Sequence, residues 1–362
     1  MKHARRQALA AALVVLAAGT RAAPLGLPPL AAPPAAQAAL GAKLFADRRL
    51  SVNGTLSCAM CHVPEQGFTV NQLRTSVGME GVSLRRNAPS LLNVAYAAPL
   101  FVDGRAASLE AQALQPVLHP DEMANPDIAT VMRRIAALPD YRAPFVRAFG
   151  SARPTPARVA GALAAYQRTL VAAGSPFDRW RYGGEAGALG AEAERGYALF
   201  LRLGCERCHR AGANDALFSD GLFHDTGVQA RSDAARGEGA AFTLVPGLEA
   251  RLDAPTLRRI GLPDAPDLGR WEVTHDPADL RAFRTPSLRN VALTAPYMHD
   301  GSLATLEDVL DHYARGGTPS DPQQDPRIRP FELDGADRAA LLAFLRSLTS
   351  PDVPALARSV RR

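Results

Sequence analysis

Two five-residue strings govern what this chain can become: CAMCH at 58–62 and CERCH at 205–209, which together use all four of its cysteines. Two thiols at that spacing can add to the two vinyl groups of a porphyrin, and the histidine that follows reaches the iron from one side. C-x-x-C-H is the attachment pattern of c-type haem. Two redox or zinc CxxC pairs would leave the following histidine unexplained in both copies. The pattern assigns two covalently bound c-type haems, one on Cys58, Cys61 and His62 and one on Cys205, Cys208 and His209. No thiol is left over for a disulfide.

The first 23 residues read as a cleaved secretory leader, with a basic start at Lys2, Arg5 and Arg6, an apolar run from Ala8 to Ala18 and small residues at the end. That run is too short to span a bilayer, so the expected location is periplasmic, with no membrane partner. Export fits c-type haem, which bacteria attach outside the cytoplasm. The leader holds four Lys/Arg and no Asp/Glu, which leaves 37 basic against 36 acidic side chains. The pI near 9.3 therefore overstates the charge of the mature protein, and nothing supports a nucleic-acid partner.

The chain repeats itself at an offset of 197. PSLLNVA at 89–95 returns as PSLRNVA at 286–292, Asp103-Gly104 as Asp300-Gly301, and Leu109-Glu110 as Leu306-Glu307. The CxxCH motifs are only 147 apart, so the second copy carries about 50 extra residues after its haem motif. Apolar spacing in QAALGAKLFAD, PARVAGALAAYQRTL, LATLEDVLDHY and GADRAALLAFLRSL predicts helices, with Thr155 and Pro156 opening one of them. The expected fold is mainly α, two homologous c-type cytochrome domains with one haem each. The boundaries read as a Pro/Ala-rich extended tether at 24–36, a first domain at 37–180 and a second at 181–362.

The ligand on the other side of each iron decides the chemistry. PYMHDGSLATLEDVLDHY at 296–313 offers Met298, His299, His312 and Tyr313. At the repeat offset Tyr313 stands where the first copy has Pro116, which has no ligating side chain. If that place lies over the iron, the first haem is open and the second is closed by a tyrosine.

The strings CAMCH, RRNAPSLLNVA, FVDGRAASLEAQALQPV, HPDEM, CERCH and FRTPSLRNVALTAPYMHDG, with the helix that follows, resemble the bacterial dihaem cytochrome c peroxidase/MauG superfamily over residues 37–350. In the peroxidases of that family a Met ligates the second haem at the place held here by Tyr313, and tyrosine there marks MauG-like members. The peroxidases also carry a displaceable distal His on the first haem, where this chain has Met79. The resemblance further implies Glu122 as the distal carboxylate that moves peroxide's proton, with Gln112 as its partner amide. His119 reads as a surface-loop residue. A calcium ion between the domains is implied on Asn87 and the carbonyls of Thr294 and Pro296. Two tryptophans that carry electrons in relatives are Val102 and Leu203 here, and Trp180 and Trp271 read as structural.

The expectation is a hydrogen-peroxide-dependent oxidase that spreads two oxidising equivalents over both irons and oxidises an aromatic residue, tryptophan, on a partner protein. An anionic phenolate favours the higher oxidation states of iron, whereas Met raises the reduction potential. The alternative is a peroxide-detoxifying cytochrome c peroxidase fed by a small electron-donor cytochrome. A pure electron-transfer dihaem cytochrome would need both irons closed.

Overall fold

The computed structural model describes residues 23–237, 240–245, 248–252 and 266–359, so the expected leader lies outside the described residues apart from Ala23. Each half is built on two helices that cross at a glycine. In the first, Ala35–Ala46 meets Pro156–Gln167; in the second, Ala191–Arg202 meets Gly335–Ser347. A Cβ on Gly41 would lie 1.9 Å from the Ala162 carbonyl oxygen, and one on Gly196 would lie 1.9 Å from that of Ala340. Only glycine lets the backbones approach so closely. The helices start where their caps dictate: Thr155 accepts from the N–H of Arg158 ahead of Pro156, and Asp334 accepts from that of Asp337.

The first core gathers Leu40, Leu44, Phe45, Phe68, Phe145, Leu163 and Tyr166; the second gathers Phe177, Phe200, Phe218, Leu341 and Phe344. Burying such side chains contributes roughly 1.5–3 kcal/mol each. The chain leaves the first core at Ala172 and enters the second at Phe177, ahead of the boundary expected at 180. The last helix, Val353–Ser359, then returns to the first core through Val353 and Leu356.

The expected extended tether is instead fixed at its start. Leu27 is buried, the Arg289 guanidinium donates to the Gly26 carbonyl, and Ala216 N–H donates to the same oxygen. Arg289 is itself held by Asp178 at 2.8 Å, so a buried ion pair anchors the segment. Ala35 and Ala36 already belong to the first helix.

The repeat is visible in three dimensions. Asn93 and Asn290 both adopt φ +61°, a left-handed conformation that asparagine tolerates. Their side-chain oxygens accept from the N–H groups of Ala172 and Ser350, each at 2.8 Å. Ala98-Pro99 and Ala295-Pro296 are both cis. Ser108 and Thr305 cap matching helices. The domains meet through a reciprocal pair: Asn87 N–H donates to His299 O, and Arg284 N–H donates to Val102 O, each at 2.7 Å. Described parts of the extra residues of the second half reach this joint. Within them Phe223–His224 pairs antiparallel with Phe283–Arg284, while Asp267 and Glu272 form ion pairs with Arg86 and Arg85.

Candidate haem sites

Each CxxCH histidine is oriented in the same way. His62 Nδ1 lies 3.2 Å from the Phe68 carbonyl oxygen, and His209 Nδ1 lies 3.0 Å from that of Phe218. The carbonyl accepts from Nδ1–H, which leaves Nε2 with its lone pair. That is the tautomer a metal-ligating histidine needs. Burial also holds both imidazoles below their ordinary pKa, so they are neutral. Phe68 and Phe218 are fully buried at φ +58° and +50°, a strained placement for a bulky residue that turns each carbonyl toward its imidazole. Sequence reasoning missed this device, since the phenylalanines follow their histidines by six and nine residues.

None of the four cysteines is in a disulfide, and burial pushes the Cys58 thiol up to about 12 and the Cys205 thiol to about 11. Neutral paired thiols beside a histidine with free Nε2 fit covalent haem at both places.

The structure separates the four candidates of the 296–313 stretch. Met298 sits in the turn at φ +73°, matching Phe101 at +64° in the first half. The His299 ring stacks on Phe283 at 3.6 Å, and its Nε2 pairs with Gln229 Oε1 at 2.9 Å. His312 is fully buried, its Nε2 lies 2.9 Å from the Thr226 carbonyl, and its Nδ1 faces Arg231. Burial lowers both histidines to about 4. Tyr313 makes no side-chain hydrogen bond among the described residues. Its phenol is raised above its ordinary pKa by burial and then by the sulfurs of Cys208 and Cys205, so it stands within electrostatic reach of the second CxxCH motif.

In the first half the backbone does something different at the matching place. Pro116 lies in the Gln115–Leu118 helix, and its carbonyl accepts from Met123 N–H at 3.2 Å. The 119–123 loop is thereby folded back, and Glu122 faces the first CxxCH motif: the carboxylate opposes ionisation of both Cys58 and Cys61. Burial raises the Glu122 carboxyl above the ordinary range, while His119 and Arg105 pull it down. His119 is exposed and accepts from Asp121 N–H through Nδ1. Gln112 ends the short helix before Pro116, and its amide makes no hydrogen bond among the described residues. Met79 is buried: its N–H donates to the Asp121 carbonyl at 2.8 Å, and its sulfur accepts from Asn53 at 3.3 Å. It thus pins the loop that carries Glu122.

Asn87 donates from Nδ2 to the Pro296 carbonyl at 2.7 Å, and its Oδ1 is buried without a partner. Thr294 lies two residues before Pro296, its hydroxyl donating to Val291 O. Trp180 packs in the second core against Phe177, Trp271 lies edge-on to His275, and Leu203 lines the second core.

The family model described as di-haem cytochrome c peroxidase matches residues 35–186. The methylamine utilization protein MauG of Methylorubrum extorquens is 42% identical over 312 residues, covering 86% of this chain and 77% of that protein. The chain belongs to the dihaem cytochrome c peroxidase/MauG family. The cytochrome-c peroxidase IdrP1 of Denitromonas iodatirespirans is 38% identical over 96% of this chain and 94% of that protein. A solved MauG-like protein associated with microbial copper homeostasis superposes with a TM-score of 0.72 at 32% identity, covering 92% of this chain and 95% of that one. Membership makes this chain a peroxide-dependent dihaem oxidoreductase with two c-type haems. No helix among the described residues is long and apolar enough to cross a membrane.

Proposed function

We propose that the protein is a MauG-like periplasmic oxidase that takes two electrons from a tryptophan of a partner protein and delivers them to hydrogen peroxide. The observation that carries the reading is the position of Tyr313. Tyr313 makes no side-chain hydrogen bond among the described residues and lies within electrostatic reach of Cys205 and Cys208, whereas His299 and His312 are engaged by Gln229 and the Thr226 carbonyl. His209 and Tyr313 would hold the second haem iron from its two sides, and His62 would hold the first, with Pro116 offering no ligating side chain at the place that matches Tyr313. When bound, the two haems supply the capacity to take up both oxidising equivalents of peroxide.

The chain's own groups do the rest. Glu122 removes the proton from the nearer oxygen of peroxide and returns it to the farther one as water leaves, acting as base and then acid. Its raised pKa suits both halves of that task. Gln112 orients the peroxide through its free amide. The Met79 contacts hold the Glu122 loop in place, with no histidine to displace first. Calcium is assigned to Asn87 Oδ1 and the carbonyls of Thr294 and Pro296. Asn87 Oδ1, buried and without a partner among the described residues, supports that reading.

The similarity to cytochrome-c peroxidases over nearly the whole chain favours a second reading, in which a small cytochrome supplies the electrons. Peroxide consumption tests the two. The oxidase reading expects slow turnover with a reduced small cytochrome as sole donor and an oxygen-mass gain on tryptophan of a partner protein. Rapid, saturable cytochrome oxidation without that modification would overturn it.

A further inference from the structure

Arg284 stands at the joint between the domains as the repeat mate of Asn87. Its backbone N–H donates to Val102 O at 2.7 Å and its Nε donates to Phe101 O at 3.3 Å. Asn87 does the same in the other direction, to His299 O and Pro296 O. One half therefore places a neutral amide at this point and the other half a guanidinium.

Among the described residues that guanidinium has no counter-charge. The acids around it are committed elsewhere: Asp103 to Arg86 and Arg105, Asp279 to Arg270 and Thr274, and Asp220 to His224. The neighbouring arginines differ on this point, since Arg105 lies over the Phe101 ring and Arg270 over that of Phe223, each with its own carboxylate. Arg284 forms no ion pair among the described residues, and burial alone disfavours its charge. A half-buried cation without a partner gains from an anion placed against it. Arg284 ends the strand pair with Phe223–His224, and two residues further on the Pro286 backbone reaches His209, so the strand that carries Arg284 runs into the second CxxCH site. The anions that family membership brings there are the carboxylates of the haem itself.

We propose that Arg284 binds a carboxylate of the second haem and serves as a built-in cation at the place whose repeat mate is assigned above to calcium. A guanidinium fork matches a carboxylate through two parallel hydrogen bonds. A fixed positive charge beside the porphyrin favours the ferrous over the ferric state. The inference rests on the dihaem reading and is independent of which molecule donates the electrons.

The test is spectroelectrochemical titration of the purified holoprotein, with covalent haem counted, for wild type, Arg284→Gln and Arg284→Lys. The Gln variant is expected to shift the midpoint of the His209 haem to more negative potential and leave the His62 haem unmoved. The Lys variant, which keeps the charge, is expected to stay near wild type. Should the Gln variant fail to load haem, resonance Raman of the Lys variant decides. Loss of the fork is expected to shift the carboxylate bending mode of the second haem. Two haems with unmoved midpoint and mode overturn the role of Arg284, as does a shift confined to the His62 haem. Fewer than two covalent haems in the wild type would overturn the dihaem reading instead.

Discussion

His312 and Tyr313 are consecutive on one helix and serve different sides of it. The His312 ring is turned to the Thr226 carbonyl and Arg231, whereas Tyr313 faces the sulfurs of the second CxxCH motif, the two rings lying 5.2 Å apart at 74°. Neighbouring residues on a helix point about 100° apart, so only one of them can face a given ligand. The Tyr313→Met variant is expected to give the second haem a low-spin His/Met spectrum and a midpoint more positive by on the order of 100 mV, within the ~0.8 V range that axial ligands span. An unchanged second-haem spectrum would remove Tyr313 from the iron.

Glu122 yields a rate and a pH profile. Replacing it by Gln is expected to slow the reaction of the ferric protein with peroxide by about 10²–10⁴-fold. The base form is the ionised carboxylate, and burial raises its pKa. The wild-type rate should therefore rise with pH through a limb above the ordinary carboxylate range and then level off, and the Gln variant should lack that limb. Stopped-flow mixing across pH checks both, and a limb at the ordinary carboxylate value would contradict the buried assignment.

Much of this was legible because covalent chemistry and a duplicated backbone leave fixed spacings. The CxxCH strings had to mark the two sites, and the offset of 197 alone equates Pro116 with Tyr313. What stayed hidden depends on pairs with no fixed spacing. The Phe68 and Phe218 carbonyls orient their histidines from different distances along the chain. The segment at 24–28 composes like a free linker, yet the Arg289–Asp178 pair captures its Gly26 carbonyl from the far half of the chain. Asp267 and Glu272 lie in the extra segment, whose partners no repeat could indicate.

Three glycines separate close packing from helix propensity. Gly41→Ala and Gly196→Ala each drive a Cβ into a facing carbonyl and are expected to cost about 1–3 kcal/mol. Gly161 lies in one of the same helices with nothing within 4 Å of its added Cβ, so Gly161→Ala should be stabilising by roughly 0.5–1 kcal/mol. Thermal melts of the holoproteins should place the three on opposite sides of wild type.

The Arg289–Asp178 pair is almost fully buried, and Asp178→Ala leaves an uncompensated charge at a cost of about 3–5 kcal/mol. The same change should release the segment before the first helix. Limited proteolysis is expected to cut between residues 24 and 34 in the variant and to spare the wild type; equal protection would mean that the anchor lies elsewhere.

In the proposed reaction both haems share the oxidising equivalents of a single peroxide. Adding one equivalent of hydrogen peroxide to the diferric protein without reductant, then recording freeze-quenched EPR, tests it directly. Both ferric signals are expected to disappear together. A ferric signal that persists at the His209 haem, or no reaction until an electron is supplied, would contradict it and favour the cytochrome-fed peroxidase.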